Sequence, residues 1–198
     1  MPADFIAEIA QAFAARGGDS YGENVSQLDH ALQCAWLAQQ EDAGDHLIAA
    51  ALLHDYGHLF EGRGDAAERD GRDARHELHG ARALRRWFGL EVVGPIALHV
   101  LAKRYLCAAE AGYAEALSPA SILSLKLQGG AFTSEQCQRF ERSRFAADAI
   151  RVRRWDDTGK VVGYVAPGLE QYWLILSRIA GSEGTKSQPT GRSTVSGG

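Results

Sequence analysis

The apolar run Ala49–Leu53 closes on the adjacent pair His54-Asp55 and continues as Tyr56-Gly57-His58. An imidazole is a ligand for zinc, iron, manganese or nickel, and a carboxylate beside it can bridge two cations. The pair therefore marks a candidate metal site. Such a site would either hydrolyse a phosphoester or activate dioxygen.

The chain has seven histidines. A single histidine on an apolar helix is ordinarily a satisfied core residue. That reading weakens when several fall on successive helices of one small bundle, because bundles build di-metal sites from histidines and carboxylates on facing helices. In chain order, His30, His54-Asp55, His76, His99 and Asp156 supply four imidazoles and two carboxylates. That set suits two first-row metals bridged by one carboxylate, Asp55. His58 follows His54 by four residues and would share its face if the helix continued. His46 reads as a solvated surface residue and His79 as a spare. The run His76-Glu77-Leu78-His79 has its second histidine three residues after the first. A zincin helix needs a spacing of four, so a metalloprotease is excluded.

These residues need helices to position them. Phe5, Ile6, Ile9 and Phe13 predict a helix over 3–16, ended by Gly17-Gly18. Val25, Leu28, Leu32, Ala35 and Trp36 mark a second over about 24–41. Asp45 is the expected N-cap of a third, ending near Tyr56. The Gly-rich, charged stretch 57–72 reads as a surface loop. A fourth helix is expected over 74–87 and a fifth over 91–107. Ser118-Pro119 opens a sixth, ended by Gly129-Gly130. Thr133 with Gln136 makes the capping box of a seventh, with Asp156 near its end. A last helix covers about 167–180, and Val161–Val165 forms at most a short extended piece. The expectation is an all-α, single-domain helical bundle over 1–180 with a flexible, Ser/Thr/Gly-rich tail over 181–198.

The bulk numbers agree. At 198 residues one domain with a sizeable core is expected. A net charge of −4 sets up no field that would attract nucleic acid or anionic membrane. No apolar stretch approaches the ~20 residues of a membrane span. Cys34, Cys107 and Cys137 have no CxxC spacing and read as reduced thiols of a cytoplasmic protein. The N-terminus lacks a signal-peptide pattern. The sequence carries no signal of oligomeric state.

The ligand order resembles the di-metal branch of the HD superfamily, in which His30, His54, Asp55, His76, His99 and Asp156 match all six ligand positions. That branch holds phosphodiesterases and also mixed-valent di-iron oxygenases such as myo-inositol oxygenase. Several stretches are more similar to one oxygenase family, the PhnZ-type enzymes that cleave the C–P bond of 1-hydroxy-2-aminoethylphosphonates. These are Tyr-Gly-Glu at 21–23, Gln-Leu-Asp-His-Ala-Leu-Gln-Cys-Ala at 27–35 and Leu-Leu-His-Asp-Tyr-Gly-His at 52–58. Further along stand His-Val-Leu-Ala-Lys-Arg-Tyr-Leu at 99–106, Leu-Gln-Gly-Gly at 127–130 and Arg-Trp-Asp-Asp-Thr-Gly-Lys at 154–160. The likeness spans roughly residues 20–175. It implies an Fe(II)/Fe(III) pair with O2 as co-substrate. The implied substrate is a small zwitterionic 1-hydroxy-2-(amino or trimethylammonio)ethylphosphonate, and the products are phosphate with glycine or glycine betaine. A metal-dependent phosphohydrolase of a nucleotide or phosphomonoester is the alternative on the same ligands.

A phosphonate needs cationic or donor groups, and the residue types supply them. Lys103 lies one helical turn after His99, so it points into the same site. Ser121 stands in a helix's first turn, where the N-terminus favours anions. The resemblance implies that His58, Lys103 and Ser121, with Gln128 of the Gln-Gly-Gly stretch, face the phosphonate. Glu23, seven residues before His30, is placed to pair with the substrate's cation, and Tyr21 to close over it. Each has a plainer reading. Lys103-Arg104 can be a solvated charge pair, Glu23 a partner of the helix dipole, Ser121 a first-turn residue and Gln128 a helix stop. One departure stands out. In the prototype pattern an iron-binding tyrosine lies three residues before the glutamate, whereas Tyr21 lies two before Glu23 and Ser20 holds the earlier position. The amine's identity therefore stays open.

Overall fold

The computed structural model describes residues 2–20, 24–60 and 71–181. Tyr21, Glu23, most of the 57–72 loop and nearly all of the C-terminal tail lie outside the described residues. Among those described there are nine α-helices and no strand: α1 (Pro2–Arg16), α2 (Gln27–Gln40), α3 (Asp45–Leu53), α4 (His76–Leu84), α5 (Leu90–Ala109), α6 (Pro119–Leu127), α7 (Ser134–Glu141), α8 (Ala146–Thr158) and α9 (Trp173–Ile179). Short 3-10 turns cover Tyr56–Leu59 and Leu169–Tyr172. The expected all-α bundle is the fold observed among the described residues.

Local chemistry sets the helix ends. Ser26 caps α2 by accepting from the Asp29 amide at 3.0 Å. Ser118 caps α6, with Pro119 at its first position. Thr133 and Gln136 form the reciprocal box that opens α7. Three expectations are corrected. Gly44, not Asp45, is the N-cap of α3, and Asp45 is its first residue. The expected seventh helix is two helices, because the chain breaks at Arg142–Phe145 and restarts as α8, which carries Asp156. His46 is partly buried, with an enclosed Nδ1.

α5 runs through the middle of the bundle and packs on α3, α4, α7 and α8. By length and composition alone it is apolar enough to cross a membrane, which corrects the sequence expectation. Half of it is buried inside the bundle, and its buried face carries His99 and Lys103. The main core joins Phe5, Ile9 and Phe13 of α1 with Leu52 and Leu53 of α3, Ile96 of α5, Trp155 of α8 and Leu176 of α9. Fully burying side chains of this size stabilises by about 1.5–3 kcal/mol each. The fold thereby holds α2, α3, α5 and α8 in a fixed relation, and these four supply most of the candidate ligands.

Candidate metal centre

His30 on α2, His54 just past α3, His76 at the start of α4 and His99 in mid-α5 turn their Nε2 atoms toward one another. Nε2 of His30 and His54 are 3.2 Å apart, as are those of His76 and His99. Backbone carbonyls fix three of the rings. His30 Nδ1 lies 2.8 Å from the Gly159 carbonyl, His54 Nδ1 2.9 Å from that of Ala51, and His99 Nδ1 2.8 Å from that of Ile96. In a neutral ring whose Nδ1–H donates outward, Nε2 presents its lone pair inward, as in metal sites whose outer partners select the tautomer. His76 differs, with Nδ1 facing Glu77 Oε2 at 3.9 Å.

Asp55 divides the cluster into two lobes. Its Oδ2 lies 3.3 Å from His54 Nε2 and 3.7 Å from His30 Nε2. Its Oδ1 lies 3.2 Å from His76 Nε2 and 3.5 Å from His99 Nε2. Asp156 Oδ1 joins the first lobe, 3.4 Å from His30 Nε2. Asp55 Oδ2 is buried and, among the described residues, has no hydrogen-bond donor. Buried nitrogens facing each other and an undonated carboxylate oxygen are costly as a protein-only cluster. One cation in each lobe would satisfy all of them, so the residues present fit two metal ions.

The electrostatics favour the ligand forms for most of these groups. Burial lowers His30 and His99. Burial, with the charge of His58, brings His76 down to about 4. Burial alone would raise the Asp55 and Asp156 carboxyls. The imidazoles of His54 and His76 outweigh it for Asp55, and Arg153 and Lys160 outweigh it for Asp156, so both stay well below the usual range. Burial would also lower His54, but Asp55 overrides it and pushes it up to about 9. Cys34 approaches His30 to 3.8 Å, and burial raises its thiol well above the ordinary value. It donates to the Trp155 carbonyl at 3.3 Å.

A pocket opens beside the second lobe, lined by Asp55, His58, His76, His99, Lys103, Ser121, Ser124, Gln128, Arg153, Asp156 and Lys160, among others. The sequence-derived His58, Lys103, Ser121 and Gln128 thus converge on it. Lys103 is buried rather than solvated and donates from Nζ to Ser124 Oγ at 2.7 Å. Its neighbour Arg104 points away and binds the carbonyls of Gly129 and Gly130. Gln128 is both the C-cap of α6 and part of the pocket wall. The helix does not continue past His54. Instead the Tyr56–Leu59 turn lays the His58 ring on that of His76. His79 lines a separate, open surface pocket with Phe60, Arg82 and Arg86.

Three polar pocket residues were missed from sequence: Ser124, Arg153 and Lys160. The available signal was spacing. Ser124 follows Ser121 by one turn, while Arg153 and Lys160 flank Asp156 at three and four residues.

Residues 27–123 match the HD domain family model. The chain is 42% identical over 172 residues to a hydroxymethylphosphonate dioxygenase of Gimesia maris, covering 86% of each chain. It is 39% identical over 166 residues to a [1-hydroxy-2-(trimethylamino)ethyl]phosphonate dioxygenase (glycine-betaine-forming) of Leisingera caerulea, covering 83% of each. A protein of Acanthamoeba polyphaga mimivirus is 32% identical over 158 residues, covering 79% of this chain and 72% of that one. With its paired histidine lobes and its likeness to two phosphonate dioxygenases over most of their length, the chain belongs to the HD-domain phosphonate dioxygenases of the PhnZ type.

Proposed function

We propose that this protein uses dioxygen to cleave the C–P bond of a small 1-hydroxyphosphonate, releasing phosphate and a carboxylate. The metals would be two irons, one held by His30, His54 and Asp156 and the other by His76 and His99, with Asp55 as the carboxylate they would share. The observation that carries this reading is the division of Asp55, one oxygen toward each histidine pair. When bound, such an iron pair supplies dioxygen activation and Lewis-acid anchorage for substrate oxygens.

The chain's own residues bind and orient. Lys103 and His58 stand on the wall nearest the second lobe, and Ser121 and Ser124 offer hydroxyls from α6. A buried ammonium opposite a phosphonate gives charge-assisted hydrogen bonds, roughly twice as strong as neutral ones. Fixing the phosphonate there holds the hydroxyl-bearing carbon against the metal lobes, which is where orientation lowers the barrier. Glu23 is assigned to a substrate ammonium or trimethylammonium and Tyr21 to its cover. This is supported by their position just before α2 and by the trimethylamino substrate in the name of one relative. In that case the carboxylate product is glycine or glycine betaine.

The test is phosphate release from hydroxymethylphosphonate, 1-hydroxy-2-aminoethylphosphonate and its trimethylated form, with and without oxygen. Release that stops under anaerobic conditions supports the oxygenase. Release from these phosphonates that continues unchanged without oxygen contradicts it, and oxygen-independent turnover of a nucleotide or phosphomonoester, with manganese or cobalt replacing iron, makes the protein a phosphohydrolase instead.

A further inference from the structure

Arg153 is buried on the inner face of α8, and its guanidinium is engaged along several edges. Nε donates to Tyr113 Oη at 3.0 Å and Nη1 to Asp156 Oδ2 at 2.5 Å. Nη2 donates to Asp157 Oδ1 and, at 3.4 Å, to Ser121 Oγ. Tyr113 Oη in turn donates to Asp157 Oδ2 at 2.5 Å. Tyr113 is itself buried and comes from the segment after α5, far from α8 in sequence. The three atoms that Tyr113 and Asp157 contribute therefore bound Arg153 along its Nε and Nη2 edge.

One physical consequence follows. Nη1 occupies Oδ2 of Asp156, and Oδ1 is the oxygen turned to His30 at 3.4 Å, with Lys160 Nζ also 3.4 Å from it. The guanidinium thereby sets which carboxylate oxygen faces the first lobe.

We propose that Tyr113 and Asp157 are positioning residues that act through Arg153 on Asp156. They hold the guanidinium against Oδ2 of Asp156, so that this carboxylate keeps Oδ1 turned to the first lobe. The inference rests on the di-metal reading above. An outer partner of a metal ligand, as Arg153 is to Asp156, changes metal affinity by about 10- to 100-fold when removed.

The test is anaerobic calorimetric titration of the full metal-free chain with Fe(II), repeated with Mn(II), on wild type and on Asp157→Asn, Tyr113→Phe and Asp157→Glu. Asp156→Asn identifies which binding step belongs to the first lobe. Asp157→Asn is expected to weaken that step about tenfold or more and to leave the other unchanged. Tyr113→Phe should weaken the same step by a smaller factor, and Asp157→Glu should restore part of the loss. Wild-type affinity at both steps in both Asp157→Asn and Tyr113→Phe overturns the proposal, as does an equal loss at both steps. If Asp157→Asn does not fold, Tyr113→Phe, which keeps the buried ring, decides the matter. Fewer than two steps in wild type refutes the di-metal reading itself, an outcome that needs no variant to be seen.

Discussion

The imidazole of His58 lies flat on that of His76, with ring centroids 4.0 Å apart and planes 23° apart. This stacking ties a residue on the pocket wall to one of the second metal lobe. It is made possible by a backbone approach next door. A Cβ at Gly57 would meet the His76 carbonyl oxygen at 2.0 Å, and one at Gly80 would meet the Gly57 nitrogen at 2.9 Å. The Tyr56–Leu59 turn therefore crosses the start of α4 almost in backbone contact.

Gly57→Ala should push α4 away from that turn. Overpacking of this kind costs about 1–3 kcal/mol, and here the displaced backbone belongs to His76. The expected result is a lower midpoint in chemical denaturation together with loss of metal from one lobe, measured as bound metal per chain. A variant with wild-type stability and two metals would refute the assignment.

Lys103→Ala removes a buried ammonium that lines the pocket. Loss of a charged hydrogen bond is worth about 1.5–3 kcal/mol, roughly 10- to 100-fold. We expect KM for the phosphonate to rise by that order while both metals stay bound. An unchanged KM with lost metal would make Lys103 a structural residue instead.

The titrating groups give a pH prediction. His54 is raised to about 9, so in the metal-free protein it adds stability that is complete below its ordinary value of 6.5 and lost as pH rises through 9. His76 is lowered to about 4, so its contribution is lost as pH falls from 6.5 through 4. The thermal midpoint of the metal-free protein should therefore be highest between those two ranges. Metal ligation requires a deprotonated imidazole, so binding at pH 7 should release about one proton. Calorimetry in buffers of different ionisation heat measures this. No proton release at pH 7 would show that His54 is neutral before the metal arrives.

Much of this site was legible in the sequence because ligands on regular helices obey fixed spacing. Lys103 one turn after His99, and Ser121 in the first turn after a Ser-Pro cap, could be placed from helix geometry alone. The failures lie where regular geometry stops. The position of His58 depends on a 3-10 turn that begins after Asp55, and no helical periodicity predicts a stack on His76. The break between α7 and α8 left no glycine or proline in Arg142–Phe145 to announce it. Arg153 reads as one more basic residue in Arg-Val-Arg-Arg, and only the tertiary fold shows which of the three is buried. Arg75 precedes His76 in a left-handed conformation, φ 47°, a strained cap that propensity argues against.

The central claim is that Asp55 bridges two irons to which a hydroxyphosphonate binds directly. Electron paramagnetic resonance of iron-loaded, partly oxidised protein tests it most directly, recorded before and after adding each candidate hydroxyphosphonate. The account predicts the signal of a coupled Fe(II)/Fe(III) pair that shifts when substrate is added and disappears in Asp55→Ala. A spectrum of isolated Fe(III) only, unchanged by any of the phosphonates, would contradict it.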